Sequence, residues 1–398
     1  MVVQTLEKTE NQKIFKNFMN RGEPPCDYER QLVLQDSERI KAMLENKIIP
    51  PKEVEIQPSS NCNLDCKYCF GKVLTCKRLP NKINEKEMYT IAQRISEFKE
   101  NGFKIEVAKF CGTTGEPLMN PAMLYGIELF KKLGKKVIVF TNGLWLDKEY
   151  KGRLYSDYIL SADKLNLSLD AGSEKTFYDL KKGVGFNRIK KSLEYIIRKR
   201  NKGQSNLNVV VSYVIGKDNY KEIVPTTKLI KKLGTDEIRF RVDFTDTKTI
   251  HSLANIIIEN LHIAKEEQND NFIVNSIYSE KEIDSDNSAF EVNIKECFNK
   301  DFWSCVGPDC LLRDCGHRSY YEVEPHGNLL YNSFREILTS EKRLANIKNL
   351  PDEYCKMCSP SSSRRNKLMN YLAQLPIQEA YILIENYLQD ETEKRKTT

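Results

Sequence analysis

Cys62-Asn63-Leu64-Asp65-Cys66-Lys67-Tyr68-Cys69-Phe70 follows a short strand-like run, Val54-Glu55-Ile56-Gln57. Three thiols at C-x3-C-x2-C can wrap one face of a cubane iron–sulfur cluster and leave its fourth iron without a protein ligand. Such an iron accepts a chelating small molecule, which turns an electron-transfer cluster into a reactive one. Two plainer readings stand beside this one. A zinc site would want a fourth ligand and usually two C-x2-C pairs. Pairing Cys66/Cys69 with the distant Cys355/Cys358 gives a separation atypical of a zinc ribbon. The thiols could also be buried side chains without a ligand.

The chain has 398 residues, enough for two or three domains and a large core. Hydrophobic residues make up 40% of it, as in a soluble globular protein, and no run is long and apolar enough to span a bilayer. The N-terminus lacks the apolar core of a signal peptide, so a cytoplasmic protein is expected. Twelve cysteines in a reducing compartment argue for metal clusters over disulfides. The 62 basic and 56 acidic residues leave a net charge of +6, too balanced to indicate nucleic acid. The basic runs Arg198–Arg200 and Lys394–Lys396 read as solvated faces.

Residues 1–52 read as a polar N-terminal extension, helical or irregular, with helical patterning near 37–44 and Pro-Pro breaks at 24–25 and 50–51. Cys26 reads as an incidental thiol. From 53 to 266 strand-like and helix-like segments alternate. Strands are expected at 54–57, 105–110, 136–141, 164–169, 207–214 and 237–242. Helices are expected at 84–101, 121–133, 187–202, 219–233 and 252–265. Right-handed crossovers would set every strand C-terminus on one rim, where barrel active sites lie. The fold class is therefore α/β, a partial (β/α)6 barrel of the TIM type. Residues 267–295 are polar and acidic and read as a linker without a clear element. Residues 296–360 form a cysteine-rich unit. In 361–398, Leu375, Ile377, Tyr381, Ile384 and Leu388 fall at helical intervals, predicting a C-terminal helix on the barrel with an irregular end.

The cysteine loop resembles that of the radical S-adenosylmethionine (SAM) superfamily. The resemblance extends to Cys111-Gly112-Thr113-Thr114-Gly115-Glu116-Pro117, to Phe140-Thr141-Asn142-Gly143 and to Ser168-Leu169-Asp170, which follow the second, third and fourth expected strands. It implies a [4Fe-4S] cluster on Cys62, Cys66 and Cys69 whose open iron binds the amino and carboxylate groups of SAM. Reductive cleavage would give methionine and a 5′-deoxyadenosyl radical that takes a hydrogen atom from substrate. It also implies cofactor contacts. Tyr68 would lie beside the adenine, Gly115 and Glu116 at the SAM amino group, and Asn142, Ser168 and Asp170 at its other polar groups. Val214, with Ile215 and Asn219, would flank the adenine. Thr114 stands where relatives have the first glycine of Gly-Gly-Glu-Pro, leaving open whether its hydroxyl or its backbone makes the contact. Read without the resemblance, Gly115-Glu116-Pro117 is a helix-start turn and Ser168 a hydrogen-bonding residue inside a barrel. Arg239, Arg241 and Asp243 alternate on the sixth strand and read as mutual ion pairs or as a ligand-facing row.

The C-terminal cysteines Cys297, Cys305, Cys310 and Cys315, the Pro325–Gly327 turn and Cys355/Cys358 resemble the twitch and SPASM auxiliary domains of radical SAM enzymes. That implies an auxiliary iron–sulfur cluster on Cys310, Cys315, Cys355 and Cys358, with Cys297 or Cys305 as alternative ligands. Asn332 stands where a cysteine is expected after the turn. A zinc site among these thiols, redox thiols, or a hydrogen-atom-donating Cys297 or Cys305 remain alternatives. The four histidines, 251, 262, 317 and 326, form no constellation, and no catalytic residue is assigned.

The expected activity is radical SAM chemistry on a peptide or a small carbohydrate-like molecule, with a flavodoxin- or ferredoxin-type electron donor and no membrane or nucleic-acid partner. Residues 1–52 do not resemble the larger, strand-rich leader-binding domains of peptide-modifying relatives. The competing classes are a non-catalytic iron–sulfur protein and a zinc-stapled binding or nucleic-acid protein. The first leaves Gly115–Pro117 and Ser168–Asp170 without purpose; the βα alternation and balanced charge disfavour the second.

Overall fold

The computed structural model describes residues 2–21, 27–73, 78–243, 245–284, 294–316, 324–352, 355 and 358–397. Its centre is a sheet of ten strands: β1 Glu53–Ile56, β2 Val107–Phe110, β3 Lys136–Thr141, β4 Lys164–Ser168, β5 Asn208–Ile215, β6 Glu237–Val242, β7 Ile273–Ser276, β8 Trp303–Val306, β9 Leu311–Arg313 and β10 Gly327–Asn328. The order is β7-β6-β5-β4-β3-β2-β1-β8-β9-β10. Pairing is parallel from β7 to β8 and antiparallel along β8-β9-β10.

The principal helices are α1 Val2–Met19, α2 Tyr28–Leu44, α3 Glu85–Glu97, α4 Ala122–Lys132, α5 Glu174–Lys181, α6 Phe186–Lys199, α7 Ile223–Leu233, α8 Ala254–Lys265, α9 Pro360–Gln374 and α10 Ile377–Thr397. Helix α3 shows why they form where they do. Asn84 and Glu87 make a reciprocal capping box, and the buried Met88, Ile91, Ala92 and Ile95 recur at helical spacing against the sheet.

Each strand turns one row of side chains to the helices and the other to the lumen. Val54, Ile56, Ala108, Phe110, Val139 and Phe240 are fully buried in the outer core. The opposite row is polar: Glu53, Glu55, Lys109, Asn166, Ser212 and Arg239. Alternation with period two delivers both faces from one sequence pattern. Ser168 is on the lumen row, in register with Ser212, while Leu167 and Leu169 pack in the outer core.

Three expectations are corrected. Residues 267–295 are not without an element. Ile273–Ser276 pairs in parallel with β6, because Val274 is buried against the core and Asn275 hydrogen-bonds Glu237. The cysteine-rich segment is continuous with the sheet, since β8 pairs in parallel with β1 on the edge that six strands would have left open. The chain end is helical through Thr397, and it packs on the N-terminal helices rather than on the barrel alone. Phe15, Val33, Ile40, Leu368, Met369 and Ile384 form this second core, and Lys41 bridges to Glu385 at 3.1 Å. Cys26, His317 and residues 320–323 lie outside the described residues.

Candidate active site

The cysteine loop leaves the C-terminal end of β1. It is tied to α5, where Asp65 N donates to Lys181 O (3.1 Å) and Lys67 N to Leu180 O (2.9 Å). The three thiols lie within electrostatic reach of one another. Burial pushes Cys62 up to about 11, with Glu116, Cys66 and Cys69 adding to the rise. Burial also raises Cys66, against the pull of the Lys181 ammonium. Asn142 Nδ2 donates to Cys62 Sγ at 3.9 Å and to Asn63 Oδ1 at 2.7 Å, fixing the first cysteine of the loop. Among the described residues no three His, Cys, Asp or Glu side chains converge closely enough for one metal ion. Thiolates sharing a single zinc lie about 3.8 Å apart, given Zn–S bonds of about 2.3 Å; those of a cubane are more widely spaced.

Gly115 meets the backbone of this loop. A Cβ there would lie 2.0 Å from Ser59 O and 2.8 Å from Ser60 Cα, so only glycine fits. The next residue, Glu116, is buried and already bonded: its carboxylate accepts from Leu118 N (3.0 Å), Thr141 Oγ1 (2.6 Å) and Asn142 N (2.7 Å). Burial raises its carboxyl against these donors. Beside it, Thr114 Oγ1 is buried without a hydrogen-bond partner among the described residues. An orphaned hydroxyl costs free energy unless a ligand meets it. It therefore fits a polar cofactor group at this place.

Asp170 has a left-handed backbone (φ 60°), and its carboxylate pairs with Lys181 and accepts from Val214 N at 2.7 Å. The Tyr68 hydroxyl is buried near that carboxylate without a well-formed hydrogen bond, and burial with Asp170 pushes its pKa well up. Asn219 Nδ2 donates to Asp170 O and Val214 O, and Ile215 packs in the core. Of the three residues expected to flank an adenine, only Val214 is open to the lumen side. Lys181 was not singled out from the sequence. Its signal was weak: one lysine among 62 basic residues, on the helix after Ser168-Leu169-Asp170.

In the C-terminal region Cys297, Cys315 and Cys355 lie within electrostatic reach of Cys358. Burial raises Cys358, and the charges of the other three add to it. Burial pushes Cys355 up to about 12, and Asn366 Nδ2 donates to Cys297 Sγ at 3.7 Å. The expectation that Cys310 joins this group is corrected. Cys310 closes a turn with φ 63° and packs in the main core, near Glu87 and Asp309. Cys305 is equally apart, buried on β8 in register with Glu55 and near Cys111. His326, one residue before β10, pairs with Asp314 at 2.8 Å in a buried contact beside Cys315.

Most lumen charges are matched. Lys109 reaches Glu53 (3.3 Å) and Glu55 (3.1 Å), and Glu237 meets Arg239 (2.7 Å) and Lys164 (3.6 Å). Burial pushes against the Lys109 charge, but Glu53 and Glu55 hold its pKa well above the usual value.

A polar lumen lies under a rim of three cysteines, a glycine at backbone contact and a buried threonine hydroxyl, and residues 56–230 match the Radical SAM superfamily. Among curated relatives, the chain is 26% identical over 190 residues to the tungsten-containing aldehyde ferredoxin oxidoreductase cofactor-modifying protein of Pyrococcus furiosus, covering 46% of this chain and 49% of that one. It is 28% identical over 191 residues to a probable GTP 3′,8-cyclase of Saccharolobus islandicus, covering 48% and 56%. The match thus spans about half the length of these relatives. In fold it is similar to Streptococcus suis SuiB bound to precursor peptide SuiA (TM-score 0.58, 16% identity, 82% of this chain and 75% of that chain). No helix among the described residues is long and apolar enough to cross a membrane.

Proposed function

We propose that this protein is a radical SAM enzyme that uses SAM and a [4Fe-4S] cluster to abstract a hydrogen atom from a substrate held in the barrel lumen. The observation that carries the proposal is the meeting of the Cys62, Cys66 and Cys69 thiols on the rim with Gly115, Thr114 and Lys181 around them. When bound, the cluster supplies the electron that splits the sulfur–C5′ bond of SAM, yielding methionine and a 5′-deoxyadenosyl radical.

The chain's own residues do the rest. Cys62, Cys66 and Cys69 supply thiolates, and the buried Lys181 ammonium favours their charged form, as its pull on Cys66 indicates. Gly115 lets backbone approach the SAM amino group, and the Glu116 carboxylate retains one acceptor position after its three bonds. The Thr114 hydroxyl meets a polar SAM group. Tyr68 and Val214 bound the adenine. Asp170 serves as a tether: through Lys181 and Val214 N it holds α5 and β5 around the site. Asn142 orients Cys62, and Ser168 faces the lumen on β4.

The reading extends to an auxiliary iron–sulfur cluster on Cys297, Cys315, Cys355 and Cys358, supported by their mutual electrostatics. Such a cluster would accept an electron from a substrate radical and make the reaction a net oxidation. The fold likeness to a protein solved with a precursor peptide favours a peptide substrate, and the cyclase relative keeps a small molecule in play. A flavodoxin- or ferredoxin-type donor and a cytoplasmic location complete the proposal, supported by the absence of disulfides among the described cysteines.

The test is anaerobic reconstitution followed by incubation with SAM and dithionite. Methionine and 5′-deoxyadenosine should form in the wild type and not in Cys62/Cys66/Cys69→Ala. Their absence from fully iron-loaded wild type would sink the proposal.

A further inference from the structure

Helix α9 holds two parts of the C-terminal cysteine group. Cys358 immediately precedes its cap, Ser359, whose hydroxyl accepts from Ser362 N at 3.3 Å. Further along, one face of the helix grips the backbone around Cys297. Ser362 O accepts from Asn299 Nδ2 (2.9 Å). Asn366 Oδ1 accepts from Phe298 N (2.8 Å) and Asn299 N (3.1 Å). Asn370 Oδ1 accepts from Lys295 N (3.1 Å) and Glu296 N (3.0 Å), and its Nδ2 donates to Glu296 O (2.7 Å). Ser362, Asn366 and Asn370 follow one another at four-residue spacing, which puts them on one side of α9.

These bonds fix the Asn366 carboxamide. Its oxygen is engaged by two backbone N–H groups, so its NH2 is the end that faces the sulfur. Nδ2 donates to Cys297 Sγ at 3.7 Å, from a side chain only 1% exposed. Burial disfavours a charged Cys297 sulfur, and the Lys300 N–H and the Asn366 amide offset it. Such a donor does little for a neutral thiol, a weak acceptor, and much for a thiolate. Reduction of an iron–sulfur cluster adds negative charge to its sulfurs, so hydrogen bonds to them raise its potential. We propose that Asn366 is a positioning residue for the auxiliary cluster, seating Cys297 and donating to its thiolate so that the reduced form is favoured. This rests on the reading that Cys297, Cys315, Cys355 and Cys358 hold an iron–sulfur cluster. Asn370 serves the backbone of the same segment.

The experiment uses full-length Cys62/Cys66/Cys69→Ala, which removes the first cluster and with it the Asn142 contact to Cys62. The protein carries nitrogen-15 in its asparagine side chains, is reconstituted anaerobically and is reduced with dithionite. Pulsed electron paramagnetic resonance should show a nitrogen-15 coupling to the remaining cluster. Asn366→Asp, added to this background, keeps an oxygen for Phe298 N and Asn299 N and removes the donor. It should retain iron, and its ratio of reduced to oxidised cluster, read at the parent's midpoint potential, should fall at least tenfold. Asn370→Asp adds the same charge one turn away and should change that ratio less than threefold. A cluster signal without the nitrogen-15 coupling, or equal shifts in the two aspartate variants, would overturn the role of Asn366 and leave the auxiliary cluster standing. No cluster signal in the parent would remove the auxiliary cluster and the proposal together. Should Asn366→Asp fail to fold or to hold iron, the coupling in the parent decides.

Discussion

Lys181 buries its ammonium against the Asp170 carboxylate, both side chains being almost wholly removed from solvent, directly behind the cysteine loop. The pair joins three elements. Lys181 O accepts from Asp65 N in the loop, Asp170 Oδ1 accepts from Val214 N on β5, and Asn219 Nδ2 donates to Asp170 O. Removing one partner of a buried pair strands the other charge and typically costs roughly 3–5 kcal/mol. Asp170→Ala should therefore lose about that much stability in urea unfolding. It also places a Cβ-branching-free but non-glycine residue, without the local hydrogen bonding of Asp, at φ 60°. Lys181→Met/Asp170→Asn together should be milder than Asp170→Ala, because no charge is stranded. A double variant worse than the single one would refute the pairing as the cause.

Gly115→Ala would drive a methyl group into Ser59 O, 2.0 Å away, and neither partner is a flexible side chain. Overpacking of this kind costs roughly 1–3 kcal/mol, and here the strain falls between the cysteine loop and Thr114. SAM affinity measured by equilibrium dialysis should drop at least tenfold while the far-ultraviolet dichroism stays that of the wild type.

Cys297 and Cys310 give opposite expectations. Cys297→Ala should lower iron content from about eight to about four per chain, if both clusters are of the four-iron type. Cys310→Ala should leave iron unchanged and reduce stability by about 1–2 kcal/mol, since Cys310 fills the main core. Iron and sulfide analysis after anaerobic reconstitution decides it. Equal iron loss in both variants would return Cys310 to the ligand set. Zinc in place of the second iron set would make these cysteines a structural staple.

Glu237 supplies a pH test. Burial raises its carboxyl, but Arg239 and Lys164 outweigh burial and hold it below the usual range. A depressed folded pKa gives stability that is fully present above the unfolded value of about 4.3 and lost as pH falls through the folded one. Glu237→Gln should thus destabilise by roughly 3–5 kcal/mol at pH 7, with the gap to wild type constant down to pH about 4.3 and narrowing below it. Urea midpoints of both proteins from pH 7 to 3.5 measure this. A gap that widens on acidification would contradict the assignment.

Much of the architecture was legible because it is written in local patterns. The period-two strands, the Asn84 capping box and the Cys62–Cys69 spacing each depend on residues close in sequence. The two strands that complete the parallel run were harder to see. Ile273–Ser276 is four residues in a polar stretch, and Trp303–Val306 sits in a segment dominated by cysteines. Both are strands because a neighbouring edge is open to them. Asp170 reads as a cofactor contact from its place after Ser168, and no local pattern records that its carboxylate also pairs with Lys181 and accepts from Val214 N.

The sequence alone determined the order of the first six strands and the position of the cysteine loop after the first of them. Only the tertiary structure decided which cysteines of the C-terminal region lie within electrostatic reach of one another and which lumen charges cancel. The reason is physical: periodicity and capping act over a few residues. Charge pairing and thiol convergence depend on how β8, α2 and α9 close on the sheet, which no short stretch of sequence records.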